Sequence, residues 1–166
     1  MIRTDIRSLP AITVIGKEGL CTEGNNIAAA LWQEANAHFP EIMPLAMKDP
    51  DGAYTGFWGA MSDETRSFMP WTHGFTRGLY LAGAEVHSGA AAPEGWTKWV
   101  LPARDWLIAE VPEGKYSEVF SEVLSTVIPE RGLTLCGAVC DFTEPRSGKN
   151  KLFFPVEAKK EQYDLR

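Results

Sequence analysis

The sequence predicts an α+β fold built from two β-α-β-β units, and three observations lead there. The tripeptide Leu9-Pro10-Ala11 returns as Leu101-Pro102-Ala103 and divides the 166-residue chain almost at its middle. After each copy comes a β-rich run, then one helical stretch that stops at or just before a proline, Pro40 in the first half and Pro129 in the second. Two more strand-like runs close each half. That order gives a mostly antiparallel sheet with two helices. Duplicated halves of this kind commonly form one body with pseudo-twofold symmetry and a groove at the seam.

The elements follow in order. Residues 9–21 read as a first strand, with Ile12, Val14 and Ile15 supplying β-branched bulk. Asn25 and Asn26 suit a helix N-cap, and Ile27, Leu31, Ala35 and Phe39 then recur at helical spacing. Residues 52–61 form a strand carrying Tyr54, Phe57 and Trp58. Ser62, Asp63 and Glu64 read as a solvated turn, followed by Phe68-Met69-Pro70-Trp71 and a strand over 78–87. The small-residue connector Ser88 to Gly95 marks the boundary, so one domain, 1–166, contains pseudo-repeats of about 1–88 and 96–160. In the second half a strand covers about 97–111. A helix over about 115–127 carries Val119, Phe120, Val123, Leu124 and Val127. Strands over about 133–143 and 150–157 flank the turn Glu144-Pro145-Arg146-Ser147-Gly148.

Composition narrows the function. A hydrophobic content of 45% suits a folded globular chain. A net charge of −6 argues against nucleic acid as the main partner, which needs a basic patch. Lys159, Lys160 and Arg166 make only a weakly basic tail. Nothing before residue 9 has room for a helix-turn-helix, so no DNA-binding module is expected in this chain. Met1 to Asp5 lacks the layout of a signal peptide, and no window approaches the roughly 18 apolar residues of a membrane span. Three cysteines fit a reducing compartment, and Cys136 and Cys140, about 13 Å apart in a strand, cannot bridge each other there. The chain reads as cytoplasmic. His38, His73 and His87 are scattered, Cys136-x3-Cys140 falls short of a zinc motif, and no Gly-rich phosphate loop occurs, so neither metal nor cofactor is expected.

Aromatic residues carry the candidate chemistry. Six tryptophans stand at 32, 58, 71, 96, 99 and 106, and all but Trp32 lie on or beside expected strands. Each can serve as core bulk or as the wall of a pocket for flat apolar ligands or cations. Trp58 and Trp106 are the two placed in a pocket. Strand alternation sets Glu85 on the face of Leu79 and Leu81, either as a carboxylate among apolar neighbours with a raised pKa or as a strand-end residue turned to solvent. Glu110 has a comparable setting, and the two glutamates are expected to line opposite walls of one cavity.

Gly78-Leu79-Tyr80-Leu81-Ala82-Gly83-Ala84-Glu85-Val86, then Pro93-Glu94-Gly95-Trp96 and Leu101-Pro102-Ala103, resemble the signature of GyrI-like small-molecule-binding domains, also called AraC-type effector-binding domains. Phe68-Met69-Pro70-Trp71 and Leu152-Phe153-Phe154-Pro155-Val156 fit the same pattern, which spans about residues 9–157. The resemblance implies a ligand groove between the two units and binding of hydrophobic, often cationic or drug-like molecules, in the manner of multidrug-binding domains, by aromatic residues and an acid. The expected ligand-binding set is Tyr54, Trp58, Trp71, Tyr80, Glu85, Trp96, Trp106, Glu110 and Phe153. Many relatives carry a glutamate entering the last strand, where Lys151 stands here; Glu85 or Glu110 would then take over, or the ligand is neutral or anionic. As a stand-alone member the chain would sense or sequester its ligand. Two alternatives stay open: a hydrolase of reactive small molecules, with Glu85 or Glu110 activating water and Tyr54 or Tyr80 giving a proton, and a module that binds a protein partner through an acidic face.

Overall fold

The computed structural model describes residues 1–160; Arg166 of the basic tail lies outside them. Along the chain run β1 (Thr4–Leu9), β2 (Ile12–Cys21), α1 (Ala28–Ala37), β3 (Phe57–Ser62), a single turn α2 (Thr72–Phe75), β4 (Gly78–Val86), β5 (Thr97–Leu101), β6 (Arg104–Val111), α3 (Tyr116–Glu122), α4 (Ile128–Glu130), β7 (Leu133–Leu135), β8 (Cys140–Thr143) and β9 (Asn150–Ala158). The α+β architecture with a single antiparallel sheet is as expected. Its order is β1-β6-β9-β8-β3-β4-β2-β5, with β7 on the far stretch of β9.

Each Leu-Pro-Ala copy is a joint between strands. Proline has no N–H for a ladder, so β1 stops at Leu9 and β5 at Leu101, and new strands open at Ile12 and Arg104. The expected single strand over 97–111 is therefore two strands, and β1 is an element the sequence did not suggest. The pairing across the joints is reciprocal: β1 lies along β6 of the second half, and β5 along β2 of the first. Since β5 and β6 are joined only by Pro102-Ala103 yet stand near opposite ends of the sheet, the sheet is rolled until its ends approach.

The roll has two faces. Its inside holds one core drawn from both ends of the sheet, including Val14, Trp58, Leu81, Leu101, Trp106 and Phe153. Outside, Leu31 and Ala35 of α1 pack on Ile15, Tyr80 and Ala82. Val119 of α3, with Val123 just beyond it, packs on Leu107, Leu152 and Phe154. Asn26 Oδ1 accepts the Ala28 N–H at 3.0 Å, but the residue at the N-cap is Ile27, which offers no side-chain acceptor, so the expected asparagine cap does not form. The second helix does not end before Pro129. That residue has no N–H for the Ser125 carbonyl, and the chain widens into a π turn over Val123–Val127 before the last turn, α4. The expected strand over 133–143 is also broken. Pro155 has no donor for the neighbouring strand, and only its carbonyl is used there, by the Cys136 N–H at 2.9 Å.

Close backbone approach sets one strict demand. Gly83 of β4 faces Gly16 of β2, and a Cβ on Gly83 would collide with the Ile15 carbonyl. Gly83→Ala is expected to cost about 2–3 kcal/mol or more, read as a lowered urea midpoint. An unchanged midpoint would contradict this packing.

Candidate functional site

Between α1 and α3 the outer face of the sheet is left open, forming a groove with two lobes of about 390 and 310 Å³. Both lobes are bounded by Tyr80, Tyr116 and Asp141. Asp141 reaches the floor through strand alternation, because its neighbours Cys140 and Phe142 point into the inner core. It stands opposite Gly59 in β3. A Cβ at Gly59 would run into the Tyr80 hydroxyl, so the glycine makes room for Tyr80 to reach across.

A hydrogen-bond chain crosses that floor. Trp32 Nε1 donates to the Tyr80 hydroxyl at 2.8 Å, and Tyr80 donates to Asp141 Oδ2 at 3.0 Å. The Tyr116 phenol lies against the same carboxyl and favours its charged form, while Oδ1 is buried with no hydrogen-bond partner. Burial raises the Asp141 carboxyl to about 6, against the pull of the Tyr116 and Tyr80 hydroxyls. Burial, and then the adjacent Asp141 charge, push both phenols well above their ordinary range, so both stay protonated at neutral pH.

Aromatic rings form the walls. Phe75 meets Phe120 edge-on with ring centroids 5.4 Å apart, and Tyr116 stacks parallel on Phe120 at 6.4 Å. Trp71 is held by its Nε1–H to the Leu79 carbonyl at 3.0 Å. Trp71 and Phe75 sit in a tightly wound loop in which Arg66, Phe68, His73 and Phe75 all have positive φ, a region non-glycine residues seldom occupy. Asp63 organises its start. Its carboxylate accepts the N–H groups of Thr65, Ser67 and Met69 at 3.0–3.3 Å and the hydroxyls of Ser62 and Thr65. Partial burial pushes this carboxyl up, but the hydrogen bonds outweigh it and hold it down at about 2. The turn expected to be merely solvated is thus the anchor of one groove wall.

The expected ligand residues divide among several places. Trp71 and Tyr80 line the groove. Trp58 and Trp106 do not; both are 2% exposed in the inner core, where large rings fill the roll. Trp96 is buried under Lys17, whose Nζ sits 4.3 Å above its ring, and donates to Glu41 at 3.2 Å. Tyr54, Glu110 and Phe153 border a separate cavity of about 870 Å³ against β1. Glu85 lies on the inner face as expected and accepts the Trp58 Nε1–H at 2.9 Å. Burial raises its pKa against that hydrogen bond. It does not border the groove, so Glu85 and Glu110 do not face each other across it. Lys151 pairs with Glu144 at 3.4 Å, and the acid on the groove floor comes instead from the adjacent strand.

Sequence reasoning missed Asp141, Tyr116, Phe75 and Phe120 as site residues. Two signals were present. Tyr116 extends the stripe of Val119, Phe120 and Val123 by one turn, and Asp141 is a lone charge between Cys140 and Phe142. The register of Asp141 depends on the break before it, which no local pattern announces.

A rolled antiparallel sheet with a helix pair on its outer face is the GyrI-like effector-binding fold, and this chain has that fold. No family model and no curated protein matches the sequence. Solved structures match it almost end to end. SAV2435 bound to tetraphenylphosphonium aligns with a TM-score of 0.67 at 12% identity, over 93% of this chain and 94% of that one. The C-terminal domain of EcmrR gives 0.62 at 13%, over 95% and 99%. An integron cassette protein from the mobile metagenome of Vibrio cholerae gives 0.62 at 13%, over 94% and 97%.

Asp141 makes stability depend on pH. Its folded pKa, near 6, lies above the ordinary 3.8, so the native chain holds a proton that the unfolded chain has already released. The contribution of Asp141 to stability therefore falls as pH rises from about 4 to 6, and its penalty is complete at pH 7. Asp141→Asn, which keeps an acceptor for Tyr80, is expected to stabilise the fold by on the order of 2 kcal/mol at pH 7.5 and to give no gain near pH 3.5. Urea denaturation at the two pH values checks this; a destabilised variant at pH 7.5 would contradict it.

Proposed function

We propose that this protein binds flat, apolar organic cations in the groove between α1 and α3 and acts as a cytoplasmic sensor or sequestering protein for them. The observation that carries this reading is one carboxylate, Asp141, on the floor of a groove walled by Trp71, Phe75, Tyr116 and Phe120. Each ring face attracts a cation by ~0.5–2 kcal/mol, and a carboxylate shielded from water attracts it more strongly than an exposed one. Lys151 borders the smaller lobe, but its pairing with Glu144 keeps it from setting the sign. The tetraphenylphosphonium bound to SAV2435, a protein of the same fold, is an apolar aromatic cation; it supports the charge and ring character of this ligand class, though its four rings stand tetrahedrally about phosphorus rather than in a plane.

The same cluster supports a second reading, hydrolysis of reactive xenobiotic small molecules. A carboxyl that titrates near 6 is suited to take a proton from water at neutral pH.

Titration with a panel of aromatic cations at pH 7.5, followed by tryptophan fluorescence, is expected to give saturable quenching. Asp141→Asn weakens it about tenfold or more. Affinity falls as pH drops through about 6, because protonation removes the anchoring charge. Binding that ignores both changes, or no binding by the folded protein, would refute the cation groove. For the second reading, turnover of reactive esters and epoxides lost in Asp141→Asn marks a hydrolase; binding without turnover marks a receptor.

A further inference from the structure

Several polar groups on the floor of the groove are already engaged with one another. Tyr80 uses its oxygen to accept from Trp32 and its hydrogen to reach Asp141 Oδ2. Asn26 Oδ1 is taken by the Ala28 N–H, and Lys151 is paired with Glu144. Against this background Asp141 Oδ1 stands out as a buried carboxylate oxygen without a donor. A buried acceptor left unpaired is costly, and a charged one more so. What Oδ1 lacks is a hydrogen donor in bonding position, which the Tyr116 phenol beside the carboxyl does not supply, and a positive charge.

We propose that the groove selects cations that carry an N–H directed at Asp141 Oδ1, namely protonated aromatic amines or amidines, over fully substituted onium ions of the same shape. The proposal rests on the cation-binding reading above and narrows its ligand class. An N–H⁺ group approaches a carboxylate oxygen to about 2.7–2.9 Å. A quaternary nitrogen or a phosphonium is sheathed in carbon, which holds its charge farther off and leaves Oδ1 without a donor. The donor arrives from the side of Tyr116, whose phenol lies against the carboxyl. Tyr116 is the first residue of α3 and is 43% exposed, so a turn about its Cα–Cβ bond swings the phenol outward and opens the oxygen to the ligand.

A matched pair of probes tests this: N,N-dimethyl-1-(2-naphthyl)methanamine, protonated at pH 7.5, and its N-methylated trimethylammonium counterpart. The two share ring and charge and differ in one N–H. Calorimetric titration of the wild-type chain is expected to show the tertiary ammonium binding about tenfold tighter or more. In Asp141→Asn the difference shrinks to about twofold or less, whereas in Glu85→Gln, outside the groove, it persists. Equal affinities in the wild-type chain would overturn the donor requirement and leave the cation groove standing. A preference that survives Asp141→Asn, or vanishes in Glu85→Gln, also overturns it. Failure of both probes to bind the folded protein overturns this proposal and the cation reading together.

Discussion

Phe142 places its ring 4.8 Å from Trp58 and 5.2 Å from Phe153 inside the rolled sheet, and this contact fixes the register of β8. A shift of one residue would bring Asp141 into the aromatic core and Phe142 out onto the groove floor. Each such ring pair contributes ~0.5–1.5 kcal/mol beyond the area it buries, and expelling a carboxylate from the core adds a larger preference in the same direction. The inner core thus selects where the outer acid stands. Tryptophans that never touch the groove still determine its chemistry.

The groove floor is a point where the fold gives up stability. Burial works against the Asp141 charge, and the Tyr80 and Tyr116 hydroxyls offset only part of that. The loop bearing Trp71 and Phe75 holds several residues in backbone conformations that are unfavourable for side chains with a Cβ. Asp63 secures that loop through short-range hydrogen bonds rather than through burial. Both features would be removed by selection for stability alone, and both converge on the same 390 Å³ lobe.

Much of the fold was legible in the sequence, because periodicity is a local property. The stripe of Leu31 and Ala35 and that of Val119 and Val123 mark the helices, and the alternation of Leu79, Leu81 and Glu85 gives β4 its faces correctly. What local pattern could not supply was pairing. Whether Trp58 or Trp71 faces the groove depends on how far the sheet rolls, and that is set by contacts between residues half a chain apart. Proline punctuation was visible at Pro102 and Pro155, yet its effect, a strand break with a change of partner, appears only once the neighbours are known. Glu85 drew attention through the same physics that applies to Asp141. Both are acids in apolar strands, and only the topology separates the one that holds a tryptophan indole from the one that meets the groove.

The exchange of β1 and β5 between the halves bears on how such a molecule could arise or be taken apart. Neither half owns a complete set of strands, since each completes the other's edge. Severing the chain within Ser88 to Gly95 would leave each fragment with a bare strand edge that the other's ribbon covers in the intact molecule. A primordial chain of half the length would have faced the same demand and met it with a twin, trading arms about a dyad. Fusion of the two copies would then have freed one side to acquire the aspartate while the other kept its glycine opposite, an asymmetry that a dimer of identical subunits cannot reach.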